Sequence, residues 1–310
     1  QQKVLDYLSA GGNPSDLISE IRQTWKTREI FSKNEVVRDV TGDGITEILI
    51  IPSEAYVFGC RNQKYETLLN LGNDAAGINY IGNQLVGIED MNLDGIPEIV
   101  IANFSCGGFG SGQCLTVYVF EWNKKEFVSL FPEQSSYFGN ASMNGRRLSL
   151  GLPTVSIQDF DNNGIKELIL TGGIPNTIYQ DYFDDYPWRD QSDIYSWNGQ
   201  NFVFDKTEFS LPVYRYQAVQ DGDRAALNHK YDKALASYQD AIFSNTLLGW
   251  SLAHKERYKS LPQYTWDPAF QLTPTPSIPS DDPQEYPNLA TYAHYRIMLL
   301  HIIQGHLKEA

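Results

Sequence analysis

Three nine-residue segments recur along the chain: Asp39-Val-Thr-Gly-Asp-Gly-Ile-Thr-Glu47, Asp90-Met-Asn-Leu-Asp-Gly-Ile-Pro-Glu98 and Asp159-Phe-Asp-Asn-Asn-Gly-Ile-Lys-Glu167. The shared pattern is D-x-[TND]-x-[DN]-G-I-x-E, and each copy runs directly into an apolar stretch: Ile-Leu-Ile-Ile, Ile-Val-Ile-Ala and Leu-Ile-Leu-Thr. A repeat of this kind restricts the fold more than composition does, because each copy must be one structural unit stacked on its neighbours.

The flanks repeat as well. Val36-Val37, Leu85 to Ile88 and Val155 to Ile157 precede the three segments. Paired aromatic stretches follow them: Tyr56 to Phe58 with Tyr65 to Leu69, Val117 to Trp122 with Phe127 to Leu130, and Ile194 to Gly199 with Phe202 to Phe204. Each unit therefore reads as four β-strands separated by turn residues, the makeup of one propeller blade. The copies start 51 and 69 residues apart, and the variable length lies mainly after the second strand, in 103–113 of the second unit and 172–193 of the third. Insertions at one place per repeat map to one face of an array, often its binding face.

The nine-residue segments carry the chemistry of a hard cation. Calcium takes six to eight oxygens in a flexible shell, and a loop with oxygen side chains at positions 1, 3, 5 and 9, a carbonyl at 7 and a turn-forming Gly at 6 supplies them. The candidate ligands are Asp39, Thr41, Asp43, Ile45 and Glu47 in the first loop, and Asp90, Asn92, Asp94, Ile96 and Glu98 in the second. The third offers Asp159, Asp161, Asn163, Ile165 and Glu167, the isoleucines acting through their carbonyls. Up to three calcium ions are expected. Magnesium demands a tighter octahedron, and zinc would want the imidazole or thiolate that these loops lack.

An EF-hand shares the opening of the pattern but requires a bidentate Glu at position 12 on an emerging helix, where this chain has Ile50, Ile101 and Leu170. With the acid at position 9 and a strand leaving the loop, residues 34–210 resemble the FG-GAP and VCBS repeats, the calcium-binding blades of integrin-alpha-type propellers. The resemblance implies a mainly β, propeller-like array of three four-stranded blades. The chain departs from that family in using Glu at position 9, where Asp is usual, and Thr at position 3 of the first loop. Three blades are also fewer than the four to eight that close a propeller, so an array left open under covering helices and one with diverged or missing blades both fit.

Residues 1–30 read as a helical lead-in, Val4 to Leu8 and Asp16 to Trp25, with Asn13-Pro14-Ser15 supplying a cap. A β domain is expected over 31–211 and an α-helical segment over 212–310. In the latter, Tyr231, Ala234, Tyr238 and Ala241 form a helical stripe, and Leu247 to Leu261 a second helix. A proline-rich linker, 262–287, separates these from a long helix over Leu289 to Gln304. Ala234, Tyr238 and Ala241 resemble the second helix of a tetratricopeptide repeat, and Gly305 to Ala310 resembles its restart.

The formal net charge is −14, carried almost wholly before residue 212, and such a surface disfavours nucleic acid and anionic lipid while favouring divalent cations. No apolar run reaches the roughly 18 residues of a membrane span. Starting at Gln1 without a signal segment, the chain reads as a trimmed product, and export to the cell surface, periplasm or medium of a bacterium is expected. Cys106 and Cys114 bracket a glycine-rich loop at a spacing that suits a local disulfide, and Cys60 reads as a buried free thiol.

All five histidines lie after residue 212, and no nucleophile elbow, Walker, H-E-x-x-H or C-x-x-C pattern occurs. The expectation is thus a protein that binds and braces and does not catalyse. Tyr182, Tyr186, Trp188 and Arg189 are the candidate partner-binding residues, because exposed aromatics and Arg carry binding hot spots. A protein partner is expected, with a carbohydrate-binding module as the alternative and an enzyme with its acids in the insertion loops as the third reading.

Overall fold

The computed structural model describes residues 1–24, 35–51, 55–71, 80–105, 115–131, 150–151, 154–172, 174–175, 189–260 and 281–310. Two compact units divide the chain, the first ending at Phe209 and the second beginning at Ser210.

The first unit opens with helices α1 (Gln2–Ser9) and α2 (Pro14–Gln23). Asn13 caps α2 by accepting the Ser15 amide at 3.0 Å, and Pro14 fills the first helical position, where its missing N–H costs nothing. Three four-stranded antiparallel sheets follow among the described residues. The first holds β1 (Glu35–Arg38), β2 (Glu47–Ile50), β3 (Ala55–Arg61) and β4 (Lys64–Leu71). The second holds β5 (Tyr80–Glu89), β6 (Glu98–Ser105), β7 (Leu115–Trp122) and β8 (Phe127–Ser129). Between it and the third lies β9 (Leu150–Gly151), which pairs with β12 (Ile174–Pro175). The third sheet holds β10 (Thr154–Gln158), β11 (Glu167–Gly172), β13 (Gln191–Trp197) and β14 (Phe202–Phe209). All three are simple meanders, each nine-residue loop being the turn between its sheet's first two strands.

The sheets pack face to face, and side-chain alternation explains how. On β2, Ile48 and Ile50 join Phe58 against Val4, Leu8, Leu17 and Ile21 of the two helices, while Leu49 points the other way, toward Ile99 and Ile101 of β6. The opposite face of the second sheet, Val100, Ala102, Val117 and Val119, meets Leu168 and Leu170 of β11. A second strand buried on both faces must be apolar at every position, which is why each loop opens into a continuous apolar run and not an alternating one.

The second unit is helical: α3 (Arg215–Leu227), α4 (Tyr231–Phe243), α5 (Trp250–Ser260) and α6 (Glu285–Ile303). Ala234, Tyr238 and Ala241 are fully buried on α4 among Ala218, Val219 and Ala225 of α3 and Ala293 and Leu300 of α6. Gly222 lies directly under Tyr238, where an added Cβ would come within 2.5 Å of the ring. Helix α3 is absent from the sequence reading, because its buried face is built from Ala, Val and Gly, too small to stand out as an apolar stripe. Helix α6 starts earlier than expected and takes in Pro287, which the first turn tolerates because its N–H would have no intrahelical acceptor. Glu285 in that turn receives the Trp250 and Ser251 amides at 2.6 and 2.8 Å and so caps α5.

Among the described residues no helix is long and apolar enough to cross a membrane.

Candidate metal centres

The three loops share one hydrogen-bond scheme. The position 1 carboxylate accepts the amide of the Gly at position 6: Asp39 from Gly44 at 2.8 Å, Asp90 from Gly95 at 3.0 Å and Asp159 from Gly164 at 3.0 Å. Those glycines have φ of 83°, 91° and 91°, a backbone region that side chains rarely enter. The position 5 side chain turns back to the amide at position 7, Asp43 to Ile45, Asp94 to Ile96 and Asn163 to Ile165, at 2.8, 2.8 and 2.7 Å. The position 9 glutamate then reaches across to the amide at position 2. Glu47 Oε2 accepts from Val40 at 3.0 Å, Glu98 Oε2 from Met91 at 2.7 Å and Glu167 Oε2 from Phe160 at 2.7 Å. All three glutamates are buried, at 0%, 0% and 3% exposure, and this closing bond uses the extra methylene that Glu has over Asp.

This scheme leaves one oxygen of each glutamate for another partner, and the loops differ in what meets it. In the second, Glu98 Oε1 is buried with no hydrogen-bond partner among the described residues. Burial pushes the Glu98 carboxyl up to about 8, the Met91 amide opposing and the nearby Glu121 and Asp94 charges adding to the rise. Burial likewise raises Glu47 and Glu167. Burial would also raise Asp39, but the amides of Gly44, Gly42, Thr41 and Asp43 outweigh it and hold that carboxyl below its ordinary value.

In the third loop, carboxylate oxygens of Asp159, Asp161 and Glu167 all lie within 4.8 Å of one another, a grouping that could hold a metal ion, with both Asp exposed and Glu167 buried beneath them. Among the described residues no other set of three such groups meets that distance, so Asp39, Asp43 and Glu47 are not gathered in this way, nor are Asp90, Asp94 and Glu98. Part of the difference is residue choice: the third loop has a carboxylate at position 3, where the others have Thr41 and Asn92.

Two side chains outside the nine-residue pattern reach into the loops. Arg61, at the end of β3, places Nη1 2.6 Å from Asp43 Oδ2 and Nη2 3.6 Å from Glu47 Oε1. Glu121, on β7, accepts from Asn92 Nδ2 at 2.8 Å and is itself raised by burial. Aligning the outer hairpins would have flagged Arg61, since Cys60-Arg61 stands opposite Trp122-Asn123 and Trp197-Asn198.

Of the candidate partner residues, Tyr182, Tyr186 and Trp188 lie outside the described residues, and the Arg189 guanidinium sits 5.5 Å from the Phe209 ring centre. The expected Cys106–Cys114 bridge also lies outside them, and Cys60 is a half-buried free thiol.

No family model matches the chain, and no curated protein matches it. Among solved structures the chain is similar to the rhamnogalacturonan lyase of Bacillus licheniformis, at 17% identity over 57% of this chain and 34% of the lyase, with a TM-score of 0.32. The chain thus matches about a third of that protein's length. This finding corrects the expectation of a protein that is not an enzyme, because the solved structure it matches is one. At that score the likeness assigns no activity, substrate or fold to this chain.

Proposed function

We propose that acidic loops of this repeat are calcium sites, 90–98 and 159–167 foremost, that the sheets form a propeller-like array of FG-GAP and VCBS type, and that the ions brace this array for binding a protein partner. The observation that carries the reading is the fully buried Glu98 Oε1, which no amide or hydroxyl reaches, in a loop where the Glu98 carboxyl meets a second one, that of Glu121. A buried carboxylate oxygen without a partner costs free energy that a cation would remove. The donor set of carboxylates and an amide oxygen fits a hard ion, and calcium over magnesium because calcium accepts a larger and less regular shell of oxygens. The tetratricopeptide-like helical unit supports the binding role, since it leaves Leu227, Phe243, Ile303 and Leu307 more than 60% exposed. Export to a calcium-rich compartment belongs to the same reading.

The test is a melting curve in millimolar calcium and in excess chelator, with metal analysis of the purified protein. A calcium-dependent rise with bound ion supports the reading, whereas equal curves and no metal would leave the loops as acidic turns. For the partner, crosslinking on intact cells should recover one stoichiometric protein with the parent chain and lose it with Phe243→Asp. Recovery unchanged by that substitution would rule out the helical surface.

A further inference from the structure

The first loop differs from the other two in the very oxygens that a cation would use. Its shared hydrogen bonds occupy Asp43 Oδ1, through the Ile45 amide, and Glu47 Oε2, through the Val40 amide. The carboxylate oxygens left over are Asp43 Oδ2, to which Arg61 Nη1 donates at 2.6 Å, and Glu47 Oε1, which lies at an ion-pair distance of 3.6 Å from Nη2 with no hydrogen bond between them. Glu47 Oε1 also receives the Thr41 hydroxyl at 3.4 Å, so the position 9 glutamate has both oxygens partnered, unlike Glu98. The guanidinium is held on its other side by the Trp122 ring, 5.0 Å away, and the Arg61 side chain is only 20% exposed.

The hairpin chemistry explains why an arginine is free to do this. Strand pairing aligns Ile48 with Phe58, Ile99 with Phe120 and Leu168 with Tyr195, which puts Arg61, Asn123 and Asn198 at one structural position. Asn123 and Asn198 are committed to their own turns. Asn123 Oδ1 accepts the Lys125 and Glu126 amides at 3.0 and 2.9 Å, and Asn198 Oδ1 the Gln200 and Asn201 amides at 3.0 and 2.9 Å. The first hairpin turns instead through Asn62 and Gln63, both at positive φ (51° and 63°), as in a type I′ turn, which needs no side-chain brace. The second loop goes the opposite way: Glu121, at the position of Gly59, adds a fourth carboxylate. No Lys or Arg pairs with Asp90, Asp94 or Glu98, or with Asp159, Asp161 or Glu167, among the described residues. Counted as formal charge, the acids of the first loop with Arg61 carry −2, those of the second with Glu121 −4 and those of the third −3, its Lys166 being paired outside the loop with Glu89.

We propose that Arg61 is a built-in cation: its guanidinium holds loop 39–47 in place of a metal ion, so the chain takes two divalent cations, in loops 90–98 and 159–167, and keeps its first loop folded without one. A divalent ion in the first loop would have to displace the guanidinium from both acids, against its like charge. The inference rests on the calcium reading of the other two loops.

Calcium stoichiometry by calorimetry on the full chain, compared among the parent, Arg61→Gln and Arg61→Lys, tests it. The expected counts are two, three and two, since glutamine vacates the cation position and lysine refills it. Terbium luminescence gives a second readout. In a background of Asp94→Asn with Asp161→Asn, adding Arg61→Gln should create terbium emission sensitised by the adjacent Trp122, where the background alone gives little. Three ions in the parent would overturn the inference and leave the calcium reading standing. Two ions in Arg61→Gln would also overturn it, because the loop would then not be a cation site that the arginine fills. No ions in any form would bring down the calcium reading and this inference with it.

Discussion

The two units bury polar groups for different reasons. In the first, three glutamates are buried at the mouths of the loops, each tied by one oxygen to a backbone amide. In the second, the core is mainly alanine, valine, isoleucine and leucine around Tyr238, and the ion pair beside that tyrosine, Arg296 with Asp223 at 3.3 Å, lies at the edge, 27% and 34% exposed. A helical hairpin satisfies its own backbone and needs only apolar packing, whereas a loop that turns through nine residues between two buried strands must bring its acceptors with it. Those acceptors are carboxylates. On the proposed reading the β unit is therefore the half that answers to cations, through its buried glutamates.

Removing cations should separate the units most. A loop held at calcium a thousand-fold above its Kd gains about 4 kcal/mol. Hydrogen exchange in chelator should accelerate across 90–98 and 159–167 and leave 231–243 unchanged. Uniform acceleration of both units would break the distinction.

Paired substitutions sharpen it. Glu98→Ala strands the Met91 amide and removes a candidate ligand, costing roughly 2–3 kcal/mol in calcium. Glu98→Gln keeps an acceptor for that amide and should cost stability in calcium, yet be close to neutral in chelator below pH 8, where burial already keeps the parent carboxyl protonated. In the helical unit Gly222→Ala drives a methyl into the Tyr238 ring, for about 1–3 kcal/mol, identical with and without calcium. Thermal melts of the three variants in both buffers decide this, and a calcium-dependent Gly222→Ala would contradict the comparison.

The pH response follows from the same glutamate. Free of cation, folded Glu98 keeps its proton up to about 8, because of burial, while the unfolded chain gives it up near its ordinary 4.5. Stability from this group is thus complete below about 4.5 and is lost as pH rises through 8. The slope is at most about 1.4 kcal/mol per pH unit. Melts in chelator from pH 5 to 8 should fall for the parent and flatten for Glu98→Gln. A parent curve that rises over that range would sink the assignment.

Much of the β unit was legible because its signals are local and repeated. The nine-residue pattern placed each loop between the first two strands, and the apolar runs after Glu47, Glu98 and Glu167 marked the strands buried on both faces. What was not legible depends on contacts far apart in sequence. Arg61 meets Asp43 across 18 residues, and Asn92 meets Glu121 across 29, so loops that look equivalent in sequence differ in charge. The closing bond from position 9 to the amide at position 2 was hidden for a different reason. Read as a metal ligand, Glu has no obvious advantage over Asp, and only the geometry shows that its extra methylene spans the loop. In the helical unit Tyr238 and its alanines were visible at helical spacing, but their partner helix, whose buried face is Ala218, Val219, Gly222 and Ala225, carried too little hydrophobicity to be read.

The smallest expected effect lies in that helical unit's polar edge. Tyr292 is 39% exposed and donates its hydroxyl to both oxygens of Asp223 at 3.1 Å. Asp223 also accepts from buried Tyr238 at 2.6 Å, and Arg296 Nε donates to the Tyr238 hydroxyl at 3.0 Å. In Tyr292→Phe, Asp223 keeps Tyr238 and Arg296, and water replaces the lost donor, so the cost should be only about 0.5 kcal/mol. Tyr238→Phe removes the hydroxyl that joins Asp223 to Arg296 inside the hairpin, and about 1–1.5 kcal/mol is expected. Denaturant titrations of both variants should show this order and the same values in calcium and in chelator. If Tyr292→Phe proves the more costly, or if either value moves with calcium, the helical unit is not the cation-independent half, and the contrast drawn from the buried glutamates fails at its other end.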